Sequence, residues 1–428
     1  MTLALCACSS SPSTLQGGST DASTADGEAS DAGAGEPETS SPPVMDAASN
    51  PDANAATTPD ASACGPVSTT WSRCAVEPLA TAGYQQPDGR YELSIGDPDV
   101  QYDADAGQWL AWWSTGLAAD YDDTPQLGIK YAHSTDGVAW TIQPALTIEA
   151  TTSSSDWDGS KVETPTVLIV PSNPPSMRYL LYYSGAPIAT KTVNGGAVTW
   201  YQIGLATSAD GTSFTRLPAS QSPYGEAGLV LEGIDAFPGM TGVADGTLAD
   251  PEIAWDGTTF HLFFSSMPVN SSYTPLAFGI SHATSTDGIH WTPSAGNPIA
   301  ALSGSKGPSV VRDADGSWEM FYQNDTAADL AMVPSTFNPQ LGIWRATSPD
   351  LSAWTVPSTT RDLEWDGSLA TEKYGWIAVG DMALVNGEYR YYYPAFSTLT
   401  PPSSDWVVPL QGGQYAPSLI ALDMAQRL

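Results

Sequence analysis

The sequence is poor in basic residues. It has 14 Lys and Arg against 47 Asp and Glu in 428 residues, a formal net charge of −33. Such a surface repels phosphate backbones and anionic lipid headgroups, so we expect no nucleic-acid partner and no adsorption to a charged membrane. The acidity suits a secreted protein, or one that handles neutral or cationic ligands.

Long apolar runs and helical periodicity are also missing. No stretch is long enough to span a bilayer as a helix, and no stretch of useful length repeats apolar residues at helical spacing. The four histidines follow no metal-ligand spacing, so we assign no transition-metal site. The short runs that remain are rich in β-forming residues and predict an all-β chain.

The few cysteines fall in two pairs. Leu5-Cys6-Ala7-Cys8 resembles a bacterial lipobox in a truncated signal over residues 1–8, with Cys8 as the residue to be lipidated. Cys64 and Cys74 flank the start of the folded part and suit a disulfide in an oxidising compartment. The sequence therefore predicts either an outer-membrane-anchored bacterial lipoprotein, whose anchor is its only membrane contact, or a plain extracellular protein.

A linker separates this signal from the folded part. Residues 9–63 consist mainly of Ser, Thr, Ala, Asp, Gly and Pro, with nine acids and no Lys or Arg. Such a segment cannot bury enough apolar surface to offset its ordering entropy, so we expect it to be disordered. The folded domain is then 64–428.

Three phrases recur in that domain in a fixed order. The first is Gly96-Asp97-Pro98-Asp99-Val100, the second an aromatic run that begins with 109–113, and the third a Ser-x-Asp-Gly-x-x-aromatic phrase that begins with 134–140. They read as a strand, an aromatic strand and a tight Asp-Gly hairpin between two more strands. The repeat predicts a five-bladed β-propeller of four-stranded antiparallel blades that start near residues 97, 163, 250, 307 and 380. The fifth unit lacks a clear Asp-Gly hairpin, so its outer strand is expected from Tyr91–Ile95 or from Tyr415–Leu422.

The first strand of each blade should line the central channel. Alternate residues share a face of a strand, so Asp97 and Asp99 should converge with Asp250 and Glu252, and Glu163 and Asp381 come from two further copies. Clustered carboxylates raise one another's pKa. Glycosidic cleavage needs such a group, because one carboxyl must stay protonated to donate to the leaving oxygen. The alternative is structural, because Asp-Pro also forms turns. At the rim, sugar-stacking tryptophans are predicted at Trp112, Trp113 and Trp157.

The domain from about residue 85 resembles the five-bladed propeller glycosidases, the superfamily that contains glycoside hydrolase families 43, 32, 62, 68 and 130. Asp97-Pro98 looks like the blade-one Asp-Pro of family 43, which implies that Asp97 is a general base. Asp250-Pro251 resembles the blade-three Asp-Pro, which implies that Asp250 tunes the acid and orients substrate. Family 43 opens blade four with a Glu-Gly-Pro acid, whereas Lys306-Gly307-Pro308 stands here, so Glu163 is the remaining candidate acid.

These observations lead to two alternatives. The first is an inverting glycoside hydrolase of a furanoside or pentose-containing glycan, such as an arabinan or a xylan side chain. It would be monomeric and need no cofactor, with a candidate structural Ca²⁺ among the acids, and its predicted substrate-binding residues include Asp99, Glu252, Lys306 and Asp381. The second is a non-catalytic glycan-binding or sensing propeller, which the lysine in blade four favours.

Overall fold

The structure is a computed structural model. It describes residues 71–74, 89–119, 125–170, 173–324, 340–364, 366, 376–377, 380–396, 409–410, 414–415 and 420–427. The predicted signal with Cys8, the linker 9–63 and Cys64 lie outside these residues. Cys74 is disulfide-bonded. In the part of the chain described, no helix has the length and apolar character needed to cross a membrane.

The described residues are almost entirely strands and loops. A short N-terminal strand, β1, spans Ser72–Arg73. The first sheet consists of β2 (Tyr91–Asp103), β3 (Gln108–Ala118), β4 (Gln126–Ser134), β5 (Thr141–Ile142) and β6 (Ile148–Glu149). The second sheet has β7 (Lys161–Ile169), β8 (Tyr179–Ala186), β11 (Gln202–Ser208), β12 (Thr215–Arg216) and β13 (Leu229–Leu231), beside a separate hairpin of β9 (Lys191–Val193) and β10 (Gly196–Val198).

The remaining strands form a third sheet and a larger fourth one. The third has β14 (Asp245–Trp255), β15 (Phe260–Val269), β16 (Gly279–Ser285) and β17 (Thr292–Pro293). The fourth has β18 (Lys306–Arg312), β19 (Trp318–Gln323), β20 (Gln340–Ser348), β21 (Leu363–Glu364), β22 (Trp376–Ile377), β23 (Asp381–Val385), β24 (Glu388–Phe396) and, after a small hairpin of β25 (Pro409–Leu410) and β26 (Gln414–Tyr415), β27 (Ile420–Arg427). Two 3-10 turns, Pro175–Met177 and Ala300–Leu302, are the helical elements among the described residues.

The sheets have the order expected of propeller blades. Each of the first three runs antiparallel from its first strand outward, as β2-β3-β4-β5, β7-β8-β11-β12 and β14-β15-β16-β17. In the nine-stranded sheet, β22 joins β18-β19-β20 to β24-β27-β1, and β23 pairs with β24. The first strands lie side by side in the sequence β2, β7, β14, β18 and β23, and β23 in turn contacts β2. The prediction of an all-β propeller arrangement is confirmed.

The aromatic runs fill the space between sheets. Trp112 packs with Tyr131, Tyr179 and Phe214 in a core shared by the first two sheets. Equivalent cores that contain Tyr182 or Phe263 join the second sheet to the third and the third to the fourth. Because each run alternates sides along its strand, it supplies apolar surface to both neighbours.

The first and the last of the described strands lie in one sheet. Strand β1 pairs with β27, and β27 pairs with β24. The expectation that Tyr91–Ile95 supplies this outer position is wrong, because those residues begin β2. The alternative, Tyr415–Leu422, shares residues 420–422 with β27, but the outermost strand of this sheet is β1. Sequence pattern could not locate β1, since a two-residue strand has no periodicity.

The Asp-Gly hairpins bind the sheets to one another. In the copy at Asp287, Oδ1 accepts the N–H groups of Ile289 and His290, at 2.9 and 2.8 Å, while Ser285 Oγ accepts those of Asp287 and Gly288. In three copies, the carbonyl oxygen of the glycine at the hairpin apex accepts a hydrogen bond from a side chain of the neighbouring sheet. Trp112 Nε1 donates to Gly211 O at 2.8 Å, Tyr182 Oη to Gly288 O at 2.7 Å, and Tyr392 Oη to Gly137 O at 2.9 Å.

Candidate active site

The first strands of four units carry the same bulge. The pairing of β2 with β3 shifts register between Gly96 and Asp99, and an equivalent shift follows Glu163, Ala249 and Lys306 on β7, β14 and β18. An extra residue bends a strand and redirects its side chains, and such bulges are frequent beside active sites. The repeated proline phrase of the sequence is therefore a repeated change of strand direction.

The first residue of each bulge is left-handed and precedes a proline. Its φ is 46° at Asp97, 50° at Thr164, 50° at Asp250 and 56° at Gly307. This conformation costs a residue with a Cβ roughly 1–2 kcal/mol, so the surroundings must hold it in place. A serine from the preceding sheet does this for three bulges: the N–H groups of Thr164, Asp250 and Gly307 donate to Oγ of Ser114, Ser184 and Ser265 at 2.7, 3.0 and 2.9 Å.

Five carboxyl side chains line one cavity where the bulges meet. The space between these side chains, counted together with the part that is open to solvent, is about 290 Å³. Its walls are the four bulge prolines, Thr164, Gly380 and the acids Asp97, Asp99, Asp250, Glu252 and Asp381. None of these five acids is more than 7% exposed. The structure thus brings together acids that lie up to 284 residues apart in sequence, between Asp97 and Asp381.

The residues that follow the prolines, together with Asp381 on β23, form a belt of hydrogen bonds around this cavity. Each side chain accepts an N–H from the next first strand: Thr166 Oγ1 from Ile253 at 3.3 Å, Glu252 Oε1 from Val310 at 2.7 Å, Ser309 Oγ from Met382 at 2.9 Å, and Asp381 Oδ2 from Val100 at 2.8 Å. The Val167 N–H bonds Asp99 in the same way. Asp99, Glu252 and Asp381 therefore hold the first strands together as well as facing the cavity.

Three of the acids form a tight group. The carboxylate oxygens of Asp99, Glu252 and Asp381 lie within 4.8 Å of one another. Burial raises the pKa of all three, and the charge of Asp381 raises the pKa of Asp99 and of Glu252 further. Asp99 Oδ2 accepts no hydrogen bond from a described residue. A group of this kind either keeps protons at neutral pH or binds a hard cation.

Glu163, the predicted acid, is buried beside this cavity but is not part of its lining. Its Oε2 accepts a hydrogen bond from Tyr201 Oη at 2.6 Å and lies 3.8 Å from Lys161 Nζ. Burial raises the pKa of Glu163 and Asp250 adds to the rise, whereas Lys161 and Tyr201 act in the opposite direction. Asp250 itself accepts a hydrogen bond from Ser265 Oγ at 2.7 Å.

The predicted rim tryptophans need a correction. Trp112 and Trp113 have no exposed surface. Trp112 is a core residue between two sheets and donates its indole N–H to Gly211 O, and Trp113 donates to the buried Glu92 Oε1 within its own sheet. They do not lie at a rim. Trp157 is half-buried, stacks on Tyr183 and donates to Ala227 O at 2.9 Å. An aromatic run in one sequence does not tell which ring faces a ligand.

Two residues near the acids, Lys161 and Tyr201, were not predicted from the sequence. Lys306 was predicted, and it is 5% exposed at the position on β18 that Glu163 occupies on β7. Lys161 carried a signal, since it stands two residues before Glu163 and shares its face of the strand. Tyr201 carried none, because it lies outside the three repeated phrases and reaches Glu163 only through the packing of two sheets.

Comparison with known proteins places this arrangement among solved structures. The sequence matches no protein-family model and no curated protein. A solved glycoside hydrolase aligns with a TM-score of 0.56 at 15% identity, over 85% of this chain and 92% of its own. A thermostable family-43 glycoside hydrolase aligns with a TM-score of 0.50 at 15% identity, over 82% and 91%. This chain has the fold of the β-propeller glycoside hydrolases.

A third solved structure is a complex with RGII. It aligns with a TM-score of 0.54 at 14% identity, over 82% of this chain and 92% of its own length. At these identities the likeness is one of fold. A shared fold does not determine the chemistry of this chain, which depends on its own residues.

Proposed function

We propose that this chain hydrolyses glycosidic bonds at the cavity on the propeller axis. The observation that carries the proposal is the set of five buried carboxyls in one cavity, beside a sixth buried carboxyl at Glu163. Glycoside hydrolysis uses one ionised and one protonated carboxyl on opposite sides of the scissile bond. Buried acids that raise one another's pKa supply the protonated group at neutral pH.

The roles follow from the sequence resemblance and from the surroundings of each acid. Asp97 is the general base that takes a proton from water as the water oxygen attacks the anomeric carbon. Glu163 is the acid that gives its proton to the leaving oxygen, and the raised pKa that burial gives it suits this role. Asp250 acts on Glu163 through its charge. The outcome is inversion at the anomeric carbon, with a furanoside or pentose unit of an arabinan- or xylan-type glycan as substrate.

We further infer that the propeller has five blades. Five first strands contact one another in a closed circuit, and the belt of hydrogen bonds passes through all five. Strand β22 then links the fourth and fifth blades within one continuous sheet. Equivalent residues support the count, since Asp381 pairs with Tyr392 as Asp99 pairs with Trp112.

A structural calcium ion fits the tight carboxyl group. Asp99, Glu252 and Asp381 offer oxygen ligands, which Ca²⁺ prefers, and Asp99 Oδ2 has no other partner among the described residues. A bound divalent ion would favour the ionised form of all three acids and strengthen the belt. The hydrolytic step uses no cofactor. As sequence-based proposals, the chain is a monomer that works outside the cell, as a secreted protein or as a lipoprotein anchored through Cys8.

The test is a screen of nitrophenyl pentosides, including furanosides, and of hexosides. We expect a pentoside to be cleaved with inversion, which NMR of the first product anomer reports. Asp97→Asn should lower the rate by about 10²–10⁴-fold, the range of general base catalysis. Asp105→Asn, in the turn after β2 with a 65% exposed side chain, is the matched control. Hydrolysis that survives Asp97→Asn unchanged would refute the base assignment.

The second candidate function is glycan binding without cleavage. Two observations favour it: Lys306 stands where the sequence resemblance implies an acid, and Glu163 does not line the cavity. Titration calorimetry with arabino- and xylo-oligosaccharides distinguishes the two functions, since a binder takes up the oligosaccharide intact. In a binder, Lys306→Glu places a carboxyl at the position of the implied acid, and newly gained hydrolysis would support this alternative.

A further inference from the structure

Tyr201 is held rigidly next to Glu163. Its backbone N–H donates to Thr247 Oγ1 at 2.9 Å, and its carbonyl accepts the N–H of Leu248 at 2.9 Å. Both partners belong to β14, the strand that also carries Asp250. The ring packs against two small buried residues, Ala186 and Ala249.

The small size of Ala249 makes room for this ring. Ala249 stands before the bulge of β14, where β7 has Glu163 and β18 has Lys306. A longer side chain there would occupy the space of the Tyr201 ring. At the position of Ala249, β14 therefore has no charged side chain. The phenol of Tyr201 from the neighbouring sheet fills this space and donates to Glu163 Oε2 at 2.6 Å.

Lys161 completes the surroundings of the same oxygen. Lys161 is 4% exposed. Its Nζ lies 3.8 Å from Glu163 Oε2 and 5.9 Å from the centre of the Tyr201 ring. Nζ donates no hydrogen bond to a described residue. A buried ammonium is costly unless an opposite charge compensates it. Glu163 supplies that charge when it is ionised, and the pair shares one face of β7.

We propose that Tyr201 and Lys161 are positioning residues for Glu163, which hold Oε2 and leave Oε1 to face the glycan. This inference rests on the proposed function. The contacts given above are made by Oε2, so Tyr201 and Lys161 hold one oxygen of the carboxyl. Tyr201 also ties the acid on β7 to β14, the strand of Asp250, and so fixes the position of Glu163 relative to that strand.

The test uses Tyr201→Phe and Lys161→Met, which keep ring and chain length but remove the hydroxyl and the charge. Both groups stabilise the ionised carboxylate, so their loss should move the alkaline limb of the pH–rate profile to higher pH, more for Lys161→Met than for Tyr201→Phe. The rate at the optimum should fall about tenfold for Tyr201→Phe, as for loss of a hydrogen bond to a charged group. Lys161→Arg keeps the charge and should restore the limb.

Tyr179→Phe is the matched control. It removes another buried tyrosine–carboxylate hydrogen bond, to Asp103 Oδ2 at 3.2 Å, at the opposite end of the β7–β8 pair. We expect it to leave the limb in place. If Tyr201→Phe and Lys161→Met lower the melting temperature but also leave the limb in place, the two residues are merely structural and the inference is overturned.

A second readout separates this inference from the proposed function. Infrared difference spectra of protein with ¹³C-labelled glutamate, with Glu163→Gln subtracted, follow the protonation of this carboxyl without any turnover. A titration of Glu163 that moves to higher pH in both variants supports the positioning role of Tyr201 and Lys161 even if no glycoside is cleaved. A titration that does not move contradicts it even if the wild type is active.

Discussion

Two of the three repeated sequence phrases play opposite roles in the fold. The Ser-x-Asp phrase keeps its side chains, and in all four copies the aspartate accepts the N–H groups two and three residues further on. The proline phrase keeps its backbone, a left-handed bulge, while the bulge residue changes among Asp, Thr and Gly. A repeat that preserves side chains holds the fold together. A repeat that preserves backbone shape while its side chains vary presents a chemical surface.

The largest effect should come from the varying phrase. Glu163→Gln removes the predicted proton donor, so hydrolysis of a glycoside with a poor leaving group should fall by about 10²–10⁴-fold. A dinitrophenyl glycoside needs no protonation of its leaving oxygen, so its cleavage should fall far less. Steady-state rates on the two substrates give the comparison.

Asp97→Asn is the contrasting variant in this experiment. A base is required whatever the leaving group, so both substrates should lose activity together. If Glu163→Gln affects both substrates equally, Glu163 is not the proton donor, and the acid must be sought among the other buried carboxyls of the cavity.

The next effect concerns the belt acids Asp99, Glu252 and Asp381. Their folded pKa values are raised, chiefly by burial, so the folded state binds their protons more tightly than the unfolded chain. Their contribution to stability is complete below the ordinary carboxyl pKa and is lost as the pH rises through the folded values. In EDTA, the melting temperature should therefore fall as the pH increases from about 4 to 8, and Glu252→Gln should flatten that fall.

Calcium should oppose this loss. At 100 times its Kd, a ligand that binds only the folded state adds about 2.7 kcal/mol, and the gain should be smaller in Glu252→Gln. Glu226→Gln, at an exposed glutamate, should behave as the wild type in both media. Stability in EDTA that does not change with pH would show that burial does not hold protons on the three acids.

Much of this architecture could be predicted from the sequence. The hairpins, the aromatic strands and the convergence of Asp97, Asp99, Asp250 and Glu252 all follow from local patterns that recur. Repetition made the prediction strong, because one misread copy does not alter the others. The simple alternation of faces, however, does not apply to these acids, because a bulge separates Asp97 from Asp99 and Asp250 from Glu252.

What could not be predicted depends on contacts between units. Tyr201 reaches Glu163 only because β14 holds it in place, and β1 joins β27 although their paired residues Ser72 and Gln426 are more than 350 positions apart. Trp112 was misplaced at a rim for a related reason. Its strand has aromatic residues on both faces, and periodicity cannot tell which neighbouring sheet covers each.

The hairpin phrase should give a smaller effect, on stability alone. Partial burial raises the pKa of Asp287, but hydrogen bonds from the N–H groups of His290 and Ile289 outweigh it and lower the pKa to about 2. Asp287→Ala should cost about 1 kcal/mol, a modest figure because the carboxylate is half exposed to water. Asp287→Asn keeps an acceptor oxygen and should cost less. Denaturant unfolding measures both, and a change in glycoside hydrolysis would contradict the separation of the two phrases.

The smallest effect tests how the ring closes. Tyr392→Phe removes the hydrogen bond to Gly137 O, which joins residues 255 positions apart, and Tyr182→Phe removes the same bond to Gly288 O, 106 positions away. Each loss should cost about 0.5–1.5 kcal/mol in unfolding experiments. Phe263 occupies the same position one sheet further on and lacks a hydroxyl, and there the apex residue is Leu351 instead of glycine. If the junction between the fourth and the first sheet is as firm as the other junctions, the two variants lose equal stability. A smaller loss for Tyr392→Phe would mean that the junction opens before the rest of the propeller unfolds.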